Sequence, residues 1–534
     1  MNGVLMLAVP LLALVMASAQ AGQAGAPVVW VVSDMERVGK TDAPKRARDI
    51  ELYAARGECA AFQVVVRAPR GGLTGVSLQV SDLTGRRGNK IPASQVARYR
   101  EHYLHTRGTA HWEDRSVPLG PGWYADALIP FIDPATGQPP AEAPYKAAPA
   151  AVAAEENQPY WIDIPVPRDL APGRYTGRYV VTSDQGSARG RITLNVWGFT
   201  LPLKPAARSL FLIWDSDRDN LEVHKELLRH RMMPLQTPIA HAAELMREYG
   251  LNIGGARFWS GADVSSGRFG PAPTVEQCVK EAGLYPKDLP LVAYTADEIT
   301  GHTEWYDRIK EWARSLHQAG IKQLITVPAD PALFDDGSGT GKPAVDIWVM
   351  LGCFYEQGTY WRDTQEAIRR GMEAWSYTCL NQDGYSPKWP LDFPPIHFRA
   401  MQGFMNQSMG FTGTLYWAVD RWANRNPWVD PSDGTGNYPG DGALAYPGAP
   451  AGLKGIAPSL RMKWIRKGFE DYEYVELLKQ VGQKELALRL ARQAATDFKH
   501  WSQDPAVYER VRRQIAQALS RRPGEANAGT GERQ

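Results

Sequence analysis

The first third of the chain alternates apolar and polar residues with the period of two that half-buried β-strands show. Residues 62–66 form an apolar, β-branched run, while residues 76–80 and 160–164 alternate. An Ala-Pro-Gly turn precedes another such run at residues 178–181. Short strands separated by turns predict a β-sandwich domain over residues 27–200.

Beyond a proline-containing linker at residues 201–205, strand-like runs alternate with helix-like segments. The strands are predicted at residues 209–214, 232–235, 252–258, 289–295, 323–327, 346–350, 373–379 and 412–419. This order predicts a (β/α)8-type barrel over residues 207–455, with its active site at the carboxyl ends of the strands. The second and third units are short, so we expect the ring to be irregular there.

The remainder of the chain predicts helices packed on the barrel at residues 456–520. Trp464, Tyr472 and Leu478 recur at helical spacing and indicate one apolar face. On the same helix, Glu470 and Glu473 are expected to pair with Arg461 or Arg466. The polar tail at residues 521–534 predicts disorder. The fold class is therefore a multidomain protein that combines an all-β unit with an α/β unit.

The amino terminus is typical of an export signal. Residues 4–16 are uninterruptedly apolar, too short a run to span a membrane, and Ala17-Ser18-Ala19 supplies a small-residue cleavage site. We expect a signal peptide at residues 1–19, export to the periplasm or the exterior, and no integral membrane segment after cleavage. No basic residue precedes the apolar run, which leaves an uncleaved anchor or a misassigned start as the alternative.

The composition narrows the classes of partner. Lys and Arg total 60 against 58 Asp and Glu, for a net charge of +2, and no basic stripe suggests nucleic acid. The 18 Trp and 22 Tyr offer flat faces for sugar rings, or alternatively a core rich in aromatic residues.

The cysteines form no metal-binding or redox motif. Cys59, Cys278, Cys353 and Cys379 are scattered, with no CxxC or Cys/His cluster. We expect buried free thiols, no metal and no cofactor. A bridge between Cys353 and Cys379 stays open, because both follow neighbouring predicted strands.

The strongest candidate for chemistry is an apolar strand that runs directly into Asp297 and Glu298. Carboxylates at the carboxyl end of a barrel strand are placed for catalysis. Two adjacent carboxylates in a dry pocket cannot both ionise freely, so one pKa is expected to rise and to suit a general acid. Since side chains alternate along a strand, both reach the pocket only across a turn or bulge. The alternative is a solvated strand end before a helix N-terminus.

Other strand ends carry candidate substrate-binding residues. On the predicted seventh and eighth strands and the following loop these are Trp375, Tyr377, Tyr416, Trp417, Asp420, Trp422 and Trp428. Packing in the barrel core is the alternative for each aromatic residue. Asp420 facing Glu298 would instead make an ordinary two-carboxylate glycosidase.

These motifs resemble a known family. Residues 294–298 (YTADE) are similar to the catalytic strand end of glycoside hydrolase family 123, and the carboxyl-terminal part also resembles the domain-of-unknown-function family 4091. The matching motifs lie at residues 56–58 (RGE), 156–159 (ENQP), 413–419 (GTLYWAV), 426–428 (NPW), 441–448 (DGALAYPG) and 466–474 (RKGFEDYEY).

The resemblance implies hydrolysis of a terminal N-acetylgalactosamine-type residue of a glycan with retention, assisted by the substrate's own acetamide. Asp297 would orient the acetamide, while Glu298 would protonate the leaving oxygen and then activate water. A tyrosine would donate a hydrogen bond to the acetamide oxygen, and a tryptophan would pack against one face of the sugar ring. Two alternatives remain: a two-carboxylate glycosidase acting on another sugar, and a secreted carbohydrate-binding protein without activity.

Overall fold

The structure is a computed structural model that describes residues 25–110, 116–380, 382–432 and 437–520. The predicted signal peptide, residues 1–19, and the predicted disordered tail, residues 521–534, lie outside the described residues. Within those ranges, no helix combines the length and apolar character that crossing a membrane requires.

The amino-terminal unit is built of strands alone, apart from single 3-10 turns. In chain order they are β1 (Val28–Ser33), β2 (Ile50–Arg56), β3 (Cys59–Arg67), β4 (Leu73–Val80), β5 (Leu83–Thr84), β6 (Lys90–Ile91), β7 (Ala97–Thr106), β8 (Gly122–Pro130), β9 (Ala150–Val152), β10 (Asn157–Pro165), β11 (Gly173–Ser183) and β12 (Gly186–Thr200). Two sheets result, with orders β1-β3-β10-β7-β8 and β2-β12-β11-β4-β9, and β5 and β6 attach at β11.

The two sheets pack face to face around one apolar cluster. Val64 and Ile162 from the first sheet and Leu78 and Leu194 from the second are all buried in it. Burial alternates along β4, as its period-two pattern predicts. In contrast, β3 and β10 are buried on both faces, because the other face of their sheet packs against the second core.

The α/β unit follows the proline-containing linker. Its elements are β13 (Arg208–Phe211), α1 (Leu221–Arg229), α2 (Ala242–Tyr249), β14 (Gly254–Gly255), α3 (Val275–Ala282), β15 (Leu291–Asp297), α4 (Tyr306–Gln318), β16 (Ile321–Thr326), β17 (Ile347–Leu351), α5 (Tyr360–Arg369), β18 (Glu373–Tyr377), α6 (Pro395–Ala400), α7 (Asn406–Met409) and β19 (Gly413–Tyr416). A π-helical turn, Met401–Met405, joins α6 to α7.

The strands form one parallel sheet in the order β13-β19-β18-β17-β16-β15-β14. Since the first strand lies beside the last, the sheet curls as a barrel would. The predicted second strand is reduced to one bridge between Phe211 and Pro234, because proline has no N–H to continue a ladder.

A closed eight-stranded barrel is not confirmed. Among the described residues, no strand pairing joins the segment around Pro234 to β14. The two edges instead touch through Gly255, where an added Cβ would lie 2.2 Å from the carbonyl oxygen of Leu235. The ring is therefore open along a seam at its second and third positions.

The carboxyl-terminal part contains a short hairpin, β20 (Tyr446–Pro447) with β21 (Ile456–Ala457), and helices α8 (Leu460–Gln480), α9 (Lys484–Ala494) and α10 (Pro505–Ser520). The prediction that α8 has a single apolar face is wrong. Charged as well as apolar residues of α8 are buried, because the helix contacts the sandwich, α6 and α10 on different sides.

Polar contacts fix α8 between the units. Glu473 Oε1 accepts hydrogen bonds from the amides of Ala206 and Ala207 at 2.8 and 3.1 Å. Glu470 Oε1 accepts one from the Cys59 amide at 3.2 Å. The predicted pairing of these glutamates with Arg461 or Arg466 is therefore wrong. Those arginines instead pair with sandwich carboxylates, Asp126 at 2.9 Å and Asp163 at 2.7 Å respectively.

Candidate active site

Asp297 ends β15 and Glu298 follows it, at the carboxyl edge of the parallel sheet. Tyr294 pairs with Leu324 and Ala296 with Ile325, which leaves Thr295 as an extra residue in a bulge. Glu298 has a φ of 51°, in the left-handed region that non-glycine residues rarely adopt. The bulge and this turn are the irregularities that two successive acids need to share a strand end.

Asp297 is held by hydroxyl groups. The Tyr294 hydroxyl donates to Asp297 Oδ1 at 2.6 Å. The oxygen of the Tyr294 hydroxyl also lies 2.7 Å from Thr326 Oγ1. Because the tyrosine proton is used on Asp297, Thr326 must donate to Tyr294. Burial raises the pKa of Asp297, and the hydrogen bond from Tyr294 partly opposes the rise. The carboxylate is thus oriented and partly desolvated.

Glu298 lies on the other side of Asp297, toward the end of β18. The Cys379 thiol contacts Glu298 Oε1 at 3.7 Å. Burial raises the pKa of Glu298, the charge of Asp297 raises it further, and hydrogen bonds from Cys379 and Tyr377 lower it. The raised pKa favours the protonated form that a general acid requires.

A cavity of about 850 Å³ opens beside Asp297, at the ends of β13, β14, β15 and β19 and of the segment before Gln236. Its aromatic walls include Trp214 and Trp259, which are 45% and 48% exposed. Trp214 lies edge-on to Trp417 with ring centroids 6.3 Å apart. Exposed indole faces beside a carboxylate suit a sugar ring, which has apolar faces and polar edges.

Polar side chains complete the cavity lining: Arg218, Asp219, Gln236, Thr237, Arg257 and Asp263. Arg257 is held by Glu281 through hydrogen bonds of 2.8 and 2.9 Å to its two carboxylate oxygens. Glu298 does not line this cavity. The two adjacent acids therefore have different surroundings, Asp297 facing the cavity and Glu298 facing β18. The expectation that both acids reach one pocket is met by Asp297 only.

Three predicted binding residues lie at or next to the site. Tyr377 is buried beside Glu298, and Trp417 lines the cavity. Tyr416 is fully buried, and its hydroxyl donates to Asp441 at 3.1 Å. The Trp417 indole donates to the same carboxylate at 3.0 Å. Tyr416 therefore helps to hold Asp441, which accepts the hydrogen bond from Trp417. Tyr416 itself does not line the cavity.

The structure places three other predicted tryptophans away from the cavity. Trp375 is fully buried at the opposite end of the sheet, with its indole donating to Glu373 and Thr412. Trp428 stacks on Tyr145 of the sandwich, with centroids 4.7 Å apart. Trp422 packs against the apolar core and donates to a backbone carbonyl. Trp375 and Trp428 therefore pack in the protein interior, which is the alternative to substrate binding that the sequence left open for them.

Asp420 is fully buried, and its two oxygens accept hydrogen bonds from the amides of Trp214 and Ser216, each at 2.7 Å. Its carboxylate holds the loop after β13 in place. This arrangement contradicts the placement of Asp420 opposite Glu298 as the second carboxylate of an ordinary glycosidase.

The four cysteines are free, so Cys353 and Cys379 are not bridged. Gln382 lies between them, with Oε1 at 3.5 Å from Cys353 Sγ and Nε2 at 3.2 Å from Cys379 Sγ. Gln382 therefore helps to position the Cys379 thiol that contacts Glu298.

Sequence reasoning missed Trp214, Gln236, Thr237 and Trp259 as lining residues. Trp214 ends the first predicted strand, and the other three residues directly follow the second or the third. Position after a strand end was the only available signal, because loop residues follow no period.

A parallel α/β sheet with paired carboxylates at its carboxyl edge and a tryptophan-walled cavity defines a carbohydrate-cleaving enzyme. Residues 31–183 match the family described as "Glycoside hydrolase 123 N-terminal domain", and residues 345–478 match "Glycoside hydrolase 123, catalytic domain". Together these matches span more than half of the sequence, and the chain belongs to glycoside hydrolase family 123. The second match begins after Asp297 and Glu298.

Comparison with solved structures concerns the fold. A family 123 glycoside hydrolase from Clostridium perfringens, described in a study of glycolipid glycan hydrolysis, superposes with a TM-score of 0.63 at 13% identity, covering 92% of this chain and 97% of that one. At this identity the likeness shows the fold alone. A β-glucuronidase from Parabacteroides merdae reaches a TM-score of only 0.27 at 9% identity, covering 77% and 50% of the two chains. The comparison with curated protein sequences gives no match.

Proposed function

We propose that the protein cleaves a terminal 2-acetamido sugar of the N-acetylgalactosamine type from a glycan, with retention, using the substrate's acetamide as the nucleophile. The observation that carries this proposal is the adjacency of Asp297 and Glu298 in two different surroundings. Neighbouring residues cannot supply the opposed carboxyl pair, ~5 Å apart, of an ordinary retaining glycosidase. Asp420, the carboxylate considered for that scheme, is engaged elsewhere, which supports the substrate as the nucleophile.

In the first step, ionised Asp297 accepts a hydrogen bond from the acetamide N–H. This contact raises the electron density on the acetamide oxygen, which attacks the anomeric carbon while the glycosidic bond breaks. Glu298 gives its proton to the departing oxygen. The product is an oxazoline-like ring on the sugar and a free alcohol.

In the second step, water attacks the same carbon and the oxazoline ring opens, which restores the acetamide. Glu298, now a carboxylate, takes the proton that water loses. The raised pKa of Glu298 supports both roles, because an acid that titrates nearer neutral pH exchanges protons readily. The hydroxyls of Tyr294 and Thr326 would keep Asp297 oriented throughout.

The experiment is a panel of nitrophenyl glycosides that differ at C2, with NMR used to follow the configuration of the first product. We expect turnover of 2-acetamido glycosides only, and a product with retained configuration. Asp297→Asn should lower kcat on these substrates about a hundredfold or more, since a lost contact to developing charge costs that much.

Other outcomes of the panel would contradict the proposal in different ways. Turnover of 2-hydroxy glycosides would favour a two-carboxylate enzyme acting on another sugar. Binding of sugars without turnover would favour a carbohydrate-binding protein. Unchanged activity of Asp297→Asn on 2-acetamido glycosides would exclude the assisted mechanism.

We further propose that the protein acts in the periplasm or outside the cell, as the apolar amino terminus suggests. Fractionation of cells that produce the full chain tests this. Recovery of activity in the cytoplasmic fraction would contradict it.

A further inference from the structure

The cavity beside Asp297 has a second polar group of residues on its far wall. Gln236 and Thr237 directly follow the segment that replaces the second strand, and both line the same cavity as Asp297. Between them and β15 lies β14, which ends at Gly255 and is followed by Ala256. Gly255 lets β14 pack closely against Leu235, which brings the two polar groups to the same cavity.

The side-chain amide of Gln236 has a fixed orientation. Its Oε1 accepts a hydrogen bond from the Ile213 amide at 2.9 Å. An amide group whose oxygen is held in this way must direct its NH2 elsewhere, and no acceptor for it occurs in the described parts of the chain. The NH2 group is therefore a donor available to a ligand.

Thr237 supplies the second free group. The residue is only 8% exposed, and its Oγ1 is buried without a hydrogen-bond partner among the described residues. A buried hydroxyl without a partner is costly and rare, so its presence in a cavity wall indicates a partner that arrives with the ligand.

The geometry of a pyranose connects the two walls. The acetamide is attached to C2, whereas C4 and the hydroxymethyl group on C5 occupy the opposite side of the ring. If Asp297 holds the acetamide, groups across the cavity face the hydroxyls of C4 and C6. Gln236 and Thr237 match that need, since one donates and the other can both donate and accept.

We propose that Gln236 and Thr237 bind the hydroxyls on C4 and C6 of the terminal sugar and determine the preference between the C4 epimers. This inference rests on the proposed function, because it takes the orientation of the sugar from the acetamide contact with Asp297. A site built to pair with a hydroxyl discriminates strongly against a ligand that lacks it, because its own polar groups are then left unpaired.

The test combines substrate and enzyme changes. The substrates are the nitrophenyl 2-acetamido β-galactoside, its C4 epimer, and its 4-deoxy and 6-deoxy analogues. Thr237→Val removes the hydroxyl at nearly constant shape. Gln236→Glu keeps an acceptor for the Ile213 amide and removes the donor. Thr193→Val, at a buried threonine of β12 in the sandwich, is the matched control.

For the 2-acetamido galactoside, we expect Thr237→Val and Gln236→Glu each to lower kcat/KM about ten- to hundredfold, while Thr193→Val should leave kcat/KM near that of the parent enzyme. Each variant should cleave at least one deoxy analogue almost as fast as it cleaves the galactoside, since the hydroxyl contact that the analogue lacks is already absent from the variant. The ratio of kcat/KM between the two C4 epimers should therefore become smaller in these variants. Such non-additivity is the signature of a direct contact.

A purely structural role would lower kcat/KM equally for every substrate, and that additive result would overturn the inference while leaving the proposed function intact. Absence of turnover of any 2-acetamido glycoside by the parent enzyme would overturn both. The two failures are therefore distinguishable in one experiment.

Discussion

Tyr294 and Asp297 lie on the same side of their strand although they are three positions apart, and the Tyr294 hydroxyl donates to Asp297 Oδ1 at 2.6 Å. In a regular strand, residues at this spacing point to opposite faces. The extra residue at Thr295 reverses the alternation and brings them together. The bulge is therefore what assembles the carboxylate with its hydrogen-bond donor.

Tyr294→Phe should shift the acidic limb of kcat/KM to higher pH. Activity requires ionised Asp297, so it rises as pH passes through the pKa of that group. Burial raises this pKa and Tyr294 opposes the rise, so loss of the hydroxyl should raise the pKa further. We also expect kcat to fall about tenfold, as for loss of a hydrogen bond to a charged group. A pH–rate profile measures both effects.

Tyr175→Phe is the matched control, because this sandwich tyrosine also loses a hydrogen bond, of 2.7 Å to a carbonyl. It should leave the profile unchanged. An unshifted acidic limb in Tyr294→Phe would show that Asp297 does not act through its ionised form.

Glu298→Gln should make the rate depend steeply on the leaving group. Glycosides with poor leaving groups need the proton and should lose about 10²–10⁴ in kcat/KM, whereas activated aryl glycosides should lose far less. Glu298 must be protonated in the first step, so activity falls as pH rises through its raised pKa. The alkaline limb should disappear in the variant. Equal losses for all leaving groups would contradict the role of general acid.

Several strands of each unit could be predicted because each is a short apolar run between turn residues. The exception is instructive: residues 232–235 have the apolar character of a strand, but Pro234 cannot continue a ladder, and one bridge results. That consequence was visible in the sequence. The contact between Gly255 and Leu235 was not visible in the sequence, because it depends on the distance between two edges of the sheet.

Asp297 and Glu298 could be proposed as catalytic residues from the sequence because acids after an apolar strand are a local pattern. The positions of the tryptophans were not predictable from such patterns. Trp375 was expected near the active site, but alternation along a strand does not determine which end of the sheet a residue occupies. Trp428 packs on Tyr145, far away in sequence, and long-range packing of this kind leaves no local signal.

Cys379→Ala should move the alkaline limb of kcat/KM to higher pH. The thiol contacts Glu298 Oε1 at 3.7 Å, and its hydrogen bond lowers the pKa of Glu298 against the rise that burial and Asp297 cause. Without the thiol, Glu298 should keep its proton to higher pH. Cys379→Ser keeps a donor and should resemble the parent, as should Cys278→Ala, a buried thiol in α3. An unchanged limb in Cys379→Ala would exclude this influence on Glu298.

Asp163→Asn should destabilise the junction between the sandwich and α8. Asp163 pairs with Lys463 at 2.8 Å and with Arg466 at 2.7 Å, all three buried. Removing one partner leaves two buried cations uncompensated, which we expect to lower the free energy of unfolding by about 3 kcal/mol or more. The change should be measured as a shift of the urea midpoint in tryptophan fluorescence.

The loss of stability should itself depend on pH. Burial alone would raise the pKa of Asp163, but Arg466 and Lys463 hold it well below its usual value. A depressed native pKa means that the stabilisation is present above the unfolded pKa of about 3.9 and is lost as pH falls below it. The difference between the parent and Asp163→Asn should therefore be constant near neutral pH and shrink in acid. Asp184→Asn, at an exposed carboxylate of the sandwich, should change stability by no more than about 0.5 kcal/mol. A difference that grows in acid would contradict the assignment of this ion pair.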